Sequence, residues 1–213
     1  MTTSGKVSAD QLREAQRFVG GTMAVCLSYW FAPVVGGVLC NFAEKEMVKK
    51  LLTALGIAAS AEATDALFWV HRKRMLAFNV ATYAPWVGTS LQLLEVYSLG
   101  QFVIACAMDD KIVDLADEPK LAAEWDRIEQ DILSGRRVVE SYEQFTNDQF
   151  PVAIRDAFVS SVDTASAVYR TASKIPGFRA AQDAAGEGIR RALRTAGAAF
   201  APSGSATTSK PPA

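Results

Sequence analysis

The chain has 213 residues, half of them hydrophobic, with 22 Lys+Arg against 23 Asp+Glu and a formal charge of −1. That balance excludes a whole-chain basic field for nucleic acid and an acidic tail for basic partners. Three cysteines without CxxC spacing and a single histidine exclude a Cys/His zinc site and a disulfide framework, so Cys26, Cys40 and Cys106 read as buried thiols.

The amino terminus is not read as a cleavable leader, because Asp10 and Glu14 fall where a basic region would stand. Ser8-Ala-Asp-Gln11 is a capping-box pattern, and Leu12, Ala15 and Val19 follow at helical spacing, which predicts a helix start after a polar segment at 1–17. Residues 18–43 then carry no charge, a run of 26 against the roughly 20 needed to cross a bilayer core. Within it Gly20, Ala24, Ser28, Ala32, Gly36 and Cys40 are small and recur every fourth residue, a helix-packing stripe if one helix carries them all.

Glu44 opens an amphipathic helix with Met47, Val48, Leu51, Leu52 and Leu55 on one side, ended by Gly56 and restarted by Ser60. It runs into a basic cluster, His71, Arg72, Lys73 and Arg74, read as membrane-surface charge. Residues 75–108 form the second apolar stretch, interrupted only by Glu95, a candidate intramembrane carboxylate or the point where a hairpin leg emerges from lipid. Trp69 is placed as an interfacial anchor.

One motif links the two apolar stretches. FAPVVGG at 31–37 returns at 83–89 as YAPWVGT, so Pro33 and Gly36 in the first copy match Pro85 and Gly88 in the second. Inside a helix a proline removes a hydrogen bond and clashes with the preceding turn, costing about 3 kcal/mol. The four residues are therefore read as membrane bends, either kinks in two spanning helices or apices of two re-entrant hairpins.

Beyond the apolar region at 18–108, an amphipathic helical region at 109–200 is expected. Leu121, Trp125, Ile128, Ile132, Val139 and Tyr142 form one seam, Ile154, Phe158, Val162, Ala165 and Tyr169 a second, and Ile175-Pro-Gly177 a break. A last helix carries Phe178, Ala185, Ile189, Leu193 and Phe200 on one stripe, with Arg179, Arg190, Arg191 and Arg194 elsewhere, and the tail at 201–213 is expected to be disordered.

Only the acidic stretch from Asp109 suggests chemistry: Asp110, Asp114 and Asp117 share a helical face suited to Mg²⁺ and a diphosphate. It resembles the second aspartate-rich motif of chain-elongating prenyl diphosphate synthases, but with DDxxxD where that family has DDxxD, and with no first motif upstream. A solvated acidic helix is the plainer reading. The sequence as a whole predicts an all-α, non-enzymatic protein without cofactor or metal. It is expected in a membrane, with the linker 44–74 facing the cytoplasm and the bilayer as partner, as a scaffold, anchor or membrane-shaping component that forms homo-oligomers or joins another membrane protein. Nucleic acid is not among its expected partners. The alternative is a soluble helical bundle that buries an apolar hairpin and binds lipid or a partner helix. A Mg²⁺ enzyme using Asp110 and Asp114 stands further off.

Overall fold

A computed structural model describes residues 7–28, 33–81, 85–109, 112, 114–133, 167, 171 and 174–199. Six helices occupy them: α1 (Ala9–Ser28), α2 (Pro33–Ala54), α3 (Ala61–Ala81), α4 (Pro85–Met108), α5 (Glu118–Leu133) and α6 (Phe178–Ala199). No strand occurs among the described residues, as the absence of two-residue alternation predicts.

Local chemistry accounts for the boundaries. Ser8 and Gln11 close the capping box in both directions: Ser8 N–H donates to Gln11 Oε1 at 2.9 Å, and Gln11 N–H donates to Ser8 Oγ at 3.2 Å. At the end of α2 the backbone turns left-handed at Gly56, φ 75°, with Gly56 N–H on the Thr53 carbonyl and Ile57 N–H on the Leu52 carbonyl. Those two bonds are the Schellman arrangement, and glycine is there because a Cβ is strained at that φ. Ser60 Oγ then accepts from Ala63 N–H at 3.0 Å and caps α3. Asp117 caps α5 through Lys120 N–H, and Gly177, φ 80°, precedes α6.

Neither run of apolar sequence is a single helix. The first is divided between α1 and α2 and the second between α3 and α4, with Pro33 and Pro85 as the opening residues of α2 and α4. At that position proline has no hydrogen bond to lose, and its fixed φ suits the first turn. The prolines therefore start helices and interrupt none. Among the described residues no helix is long and apolar enough to cross a membrane. Counting uncharged residues along the sequence overstates the length available for a span, because the chain folds back part-way.

The 52-residue offset of the motif extends to the architecture. It relates the capping serines Ser8 and Ser60, the opening residues Ala9 and Ala61, and the prolines Pro33 and Pro85. Buried positions repeat with it: Ala15 with Leu67, Val19 with His71, Met23 with Met75, Met47 with Leu99, Leu51 with Val103. The described residues up to Met108 thus form two helix pairs of one pattern.

Contacts between the pairs set their directions. Gln16 meets Gln101 and Val19 meets Gly100, so α1 and α4 run antiparallel, while Arg72 meets Glu95 and His71 meets Ser98, so α3 and α4 do too. The ends of α1 and α3 and the starts of α2 and α4 therefore lie at one end of a four-helix unit. One core runs through it, containing Met23, Met47, Leu51, Leu52, Leu67, Met75, Tyr97 and Phe102 with Leu121, Trp125, Ile128 and Ile132 of α5. The α5 residues are the first four of the predicted seam. Its continuation at Val139 and Tyr142, the seam from Ile154 to Tyr169, and the tail at 201–213 lie outside the described residues.

Candidate functional site

Charged side chains converge where three helices cross inside the unit. Glu44 lies on α2, Arg72 on α3 and Glu95 on α4, nine to eleven residues from the helix ends at Pro33, Ala81 and Pro85. Glu44 is 1% exposed and Glu95 2%. Arg72 Nη1 donates to Glu95 Oε1 and stands 3.5 Å from Glu44 Oε2. One guanidinium thus faces two carboxylates, so the cluster is neutral only when one carboxyl holds a proton. Burial and the longer contact favour Glu44 as that carboxyl. Its contact with Arg72 is the long one, and its Oε1 has no hydrogen-bond partner among the described residues. Burial first, and the Glu95 charge second, push its pKa well above the usual range, against the pull of Arg72 and a hydrogen bond with Gln92.

Beside this cluster stands a neutral polar pair. Ser98 Oγ donates to the Glu95 carbonyl at 3.0 Å and lies 2.8 Å from His71 Nε2. With the hydroxyl's one proton given to the carbonyl, the tautomer that completes the network carries its proton on Nε2 and donates to Oγ. That is the reverse of a base activating a serine. Burial, reinforced by Arg72, drives the His71 pKa well down, and the ring sits edge-on to Trp125 at 4.9 Å. Further along α4, Gln101 Nε2 donates to Gln16 Oε1 of α1 at 3.0 Å.

The basic cluster expected at a membrane surface is held within the molecule. His71 is buried and Arg72 reaches α2 and α4. Lys73 pairs with Glu187 at 2.9 Å and Glu118 at 3.6 Å, and Arg74 with Asp183 at 3.1 Å and Asp126 at 3.4 Å. A single turn of α3 thus holds α2, α4, α5 and α6. The same face of α6 returns Arg190 to Glu118 at 2.6 Å and over the Trp69 ring, and Arg179 to Glu129. Trp69, placed at an interface from the sequence, belongs to the core, with Lys45 and Arg190 over its ring.

The remaining predicted residues are dispersed. The six positions of the small-residue stripe are split by the break between Ser28 and Pro33, so no one helix carries them; Gly20 and Cys40 are buried and Ala24 is exposed. Ala32 and the side chains of Ser28, Gly36 and Gly88 lie outside the described residues, as does Asp110. Asp114 is exposed, its carboxylate accepting from Ala116 N–H, and Asp117 serves as a helix cap. Among the described residues no group of three or more His, Cys, Asp or Glu side chains stands close enough to hold a metal ion. Sequence reasoning singled out Glu95 but missed Glu44, Ser98 and the Gln16–Gln101 pair. The available signal was that Glu44 ends the first uncharged run and Glu95 alone breaks the second.

Comparison of the chain with models of known protein families, with curated proteins and with solved structures finds no match.

Proposed function

We propose that this is a non-enzymatic helical scaffold that seats one end of its four-helix unit in one leaflet of a lipid bilayer. The observation that carries the reading is the outward face of the α1–α2 pair. Val25 (41%), Leu39 (37%) and Phe42 (70%) are exposed there, beside exposed Gly21 and Ala24, in a stretch with no charge. Directly below come exposed Arg17 and Lys50, with Lys50 Nζ 5.8 Å over the Phe18 ring, and Lys49, which pairs with Glu46 at 3.2 Å. An apolar end above a basic rim matches the acyl-to-headgroup boundary of an anionic membrane.

Depth supports the same reading. From Phe18 to the end of α1, and from Pro33 to Ala43, each leg has eleven residues, about 15 Å at 1.5 Å per residue and half a hydrocarbon core. In the second pair no charge lies between Met75 and Leu94, with a shorter leg on α3, from Met75 to Ala81. The hairpin reading of FAPVVGG and YAPWVGT, with Pro33 and Pro85 just past each apex, is part of this proposal.

Flotation with vesicles tests it. The full chain should rise with vesicles containing anionic lipid, less with neutral ones, and Phe42→Asp should abolish flotation while leaving the helical spectrum and melting curve intact. Wild-type protein that stays at the bottom of the gradient with anionic vesicles overturns the proposal. Exposed Phe42 also suits a helical partner; concentration-dependent self-association lost in Phe42→Asp, without flotation, selects that reading instead.

A further inference from the structure

The two cysteines of the first helix pair face each other. Register along α1 and α2 places them together: a Cβ built on Gly56 would stand 3.3 Å from Gln11 Nε2, and Lys50 lies over Phe18. Moving eight residues further up α1 reaches Cys26, and ten residues further down in number along α2 reaches Cys40. Both are buried in the same core, 5% and 2% exposed, close enough for each thiol to shift the acidity of the other.

We propose that Cys26 and Cys40 form a modification site, a dithiol that a hydroperoxide converts to an intramolecular disulfide stapling α1 to α2 within the uncharged end. The two sulfurs are unlike. The neighbouring Cys26 thiol favours the thiolate of Cys40 and lowers its pKa against burial and the Glu95 charge, with a smaller contribution from Arg72. Cys26 shifts the other way, first because its proton is committed to Cys40 and then because it is buried. In the proposed reaction Cys40 is the attacking sulfur and Cys26 the resolving one.

The chemistry balances with hydrogen peroxide as the oxidant. The Cys40 thiolate attacks one peroxide oxygen and breaks the O–O bond; Cys40 becomes a sulfenic acid, and the released hydroxide takes a proton to leave as water. Cys26 sulfur then attacks the Cys40 sulfur, the S–S bond forms as the S–O bond breaks, and the Cys26 proton leaves in a second water. Two thiols lose two electrons and the peroxide gains them. Cys106, on α4 and buried among other neighbours, has its pKa raised by burial and supplies an internal comparison.

Peptide mapping of the native full-length protein tests the proposal, whether or not the chain meets a membrane. No Lys or Arg lies between Phe18 and Ala43, so trypsin leaves both cysteines on one peptide, 18–45. After brief exposure to hydrogen peroxide, denaturation and alkylation, that peptide should weigh about 2 Da less than its reduced form and take no label, while Cys106 remains fully labelled. Reductant should restore both alkylations. In Cys26→Ser, Cys40 should stop at a sulfenic acid that a dimedone probe captures. Full alkylation of all three cysteines under peroxide that oxidises free glutathione completely, or Cys40 carried to sulfinic acid while Cys26 stays alkylatable, overturns the proposal.

Discussion

Gly100 of α4 lies so close to Val19 of α1 that a Cβ on the glycine would stand 3.0 Å from Val19 Cγ1 and closer still to Cγ2. The obstructing atoms belong to a β-branched side chain with one preferred rotamer in a helix, so they do not swing aside. Gly100→Ala gains up to about 1 kcal/mol of helix propensity but overpacks the crossing by about 1–3 kcal/mol. Net destabilisation is expected in urea unfolding. Adding Val19→Ala should return part of the loss, and a double-mutant cycle without coupling would contradict the close crossing.

Arg72 answers two buried carboxylates at once. Arg72→Met should cost about 3–5 kcal/mol, because Glu95 is left buried without its cation. Combining it with Glu95→Gln and Glu44→Gln should recover most of that loss, since the charges that needed compensation are gone. Unfolding midpoints of the single and triple variants measure both effects, and equal midpoints would show that charge compensation is not what Arg72 supplies.

The Glu44 proton makes stability fall as pH rises. Its folded pKa is raised above the ordinary 4.5, so between those values the folded state binds a proton that the unfolded chain has lost. The stabilisation is complete below 4.5 and disappears as pH climbs through the folded pKa, at most about 1.4 kcal/mol per pH unit. Glu44→Gln imitates the protonated acid, so its midpoint should equal the wild-type one at low pH and exceed it in alkali.

His71 has the opposite sign. Its folded pKa is depressed below 6.5, so below that value the unfolded chain takes a proton that the folded ring refuses. The stabilisation is present above 6.5 and lost as pH falls, again by about 1.4 kcal/mol per pH unit. Because Glu44 slopes the other way, the comparison belongs in the Glu44→Gln background. There His71→Gln, which keeps an amide donor for Ser98, should flatten the acid limb of the midpoint against pH.

Short-range chemistry was legible in the sequence and long-range chemistry was not. The Ser8–Gln11 box, the stop at Gly56, the restart at Ser60 and the Leu121–Ile132 seam each depend on residues within a few turns of one another, and each is found where the spacing puts it. Pro33 and Pro85 were ambiguous because a proline inside an apolar run reads alike as a kink or as an opening residue until the helix bounds are known. Arg72 lies 28 residues from Glu44 and 23 from Glu95, and no periodicity connects such positions. A basic turn in a linear string resembles a surface patch; only the fold brings Glu118, Asp126, Asp183 and Glu187 around it.

The two helix pairs share capping serines, prolines and buried positions at a constant offset, yet their charges do not repeat. The first contributes Glu44 alone, and the second contributes both Arg72 and Glu95. Two copies of the first pair, docked on each other, would oppose carboxylate to carboxylate without a cation between them. Two copies of the second would each arrive with Arg72 already neutralised by its own Glu95. Only the unlike combination brings Glu44 beside a cation, so the asymmetry selects docking of a first pair on a second pair over docking of like halves.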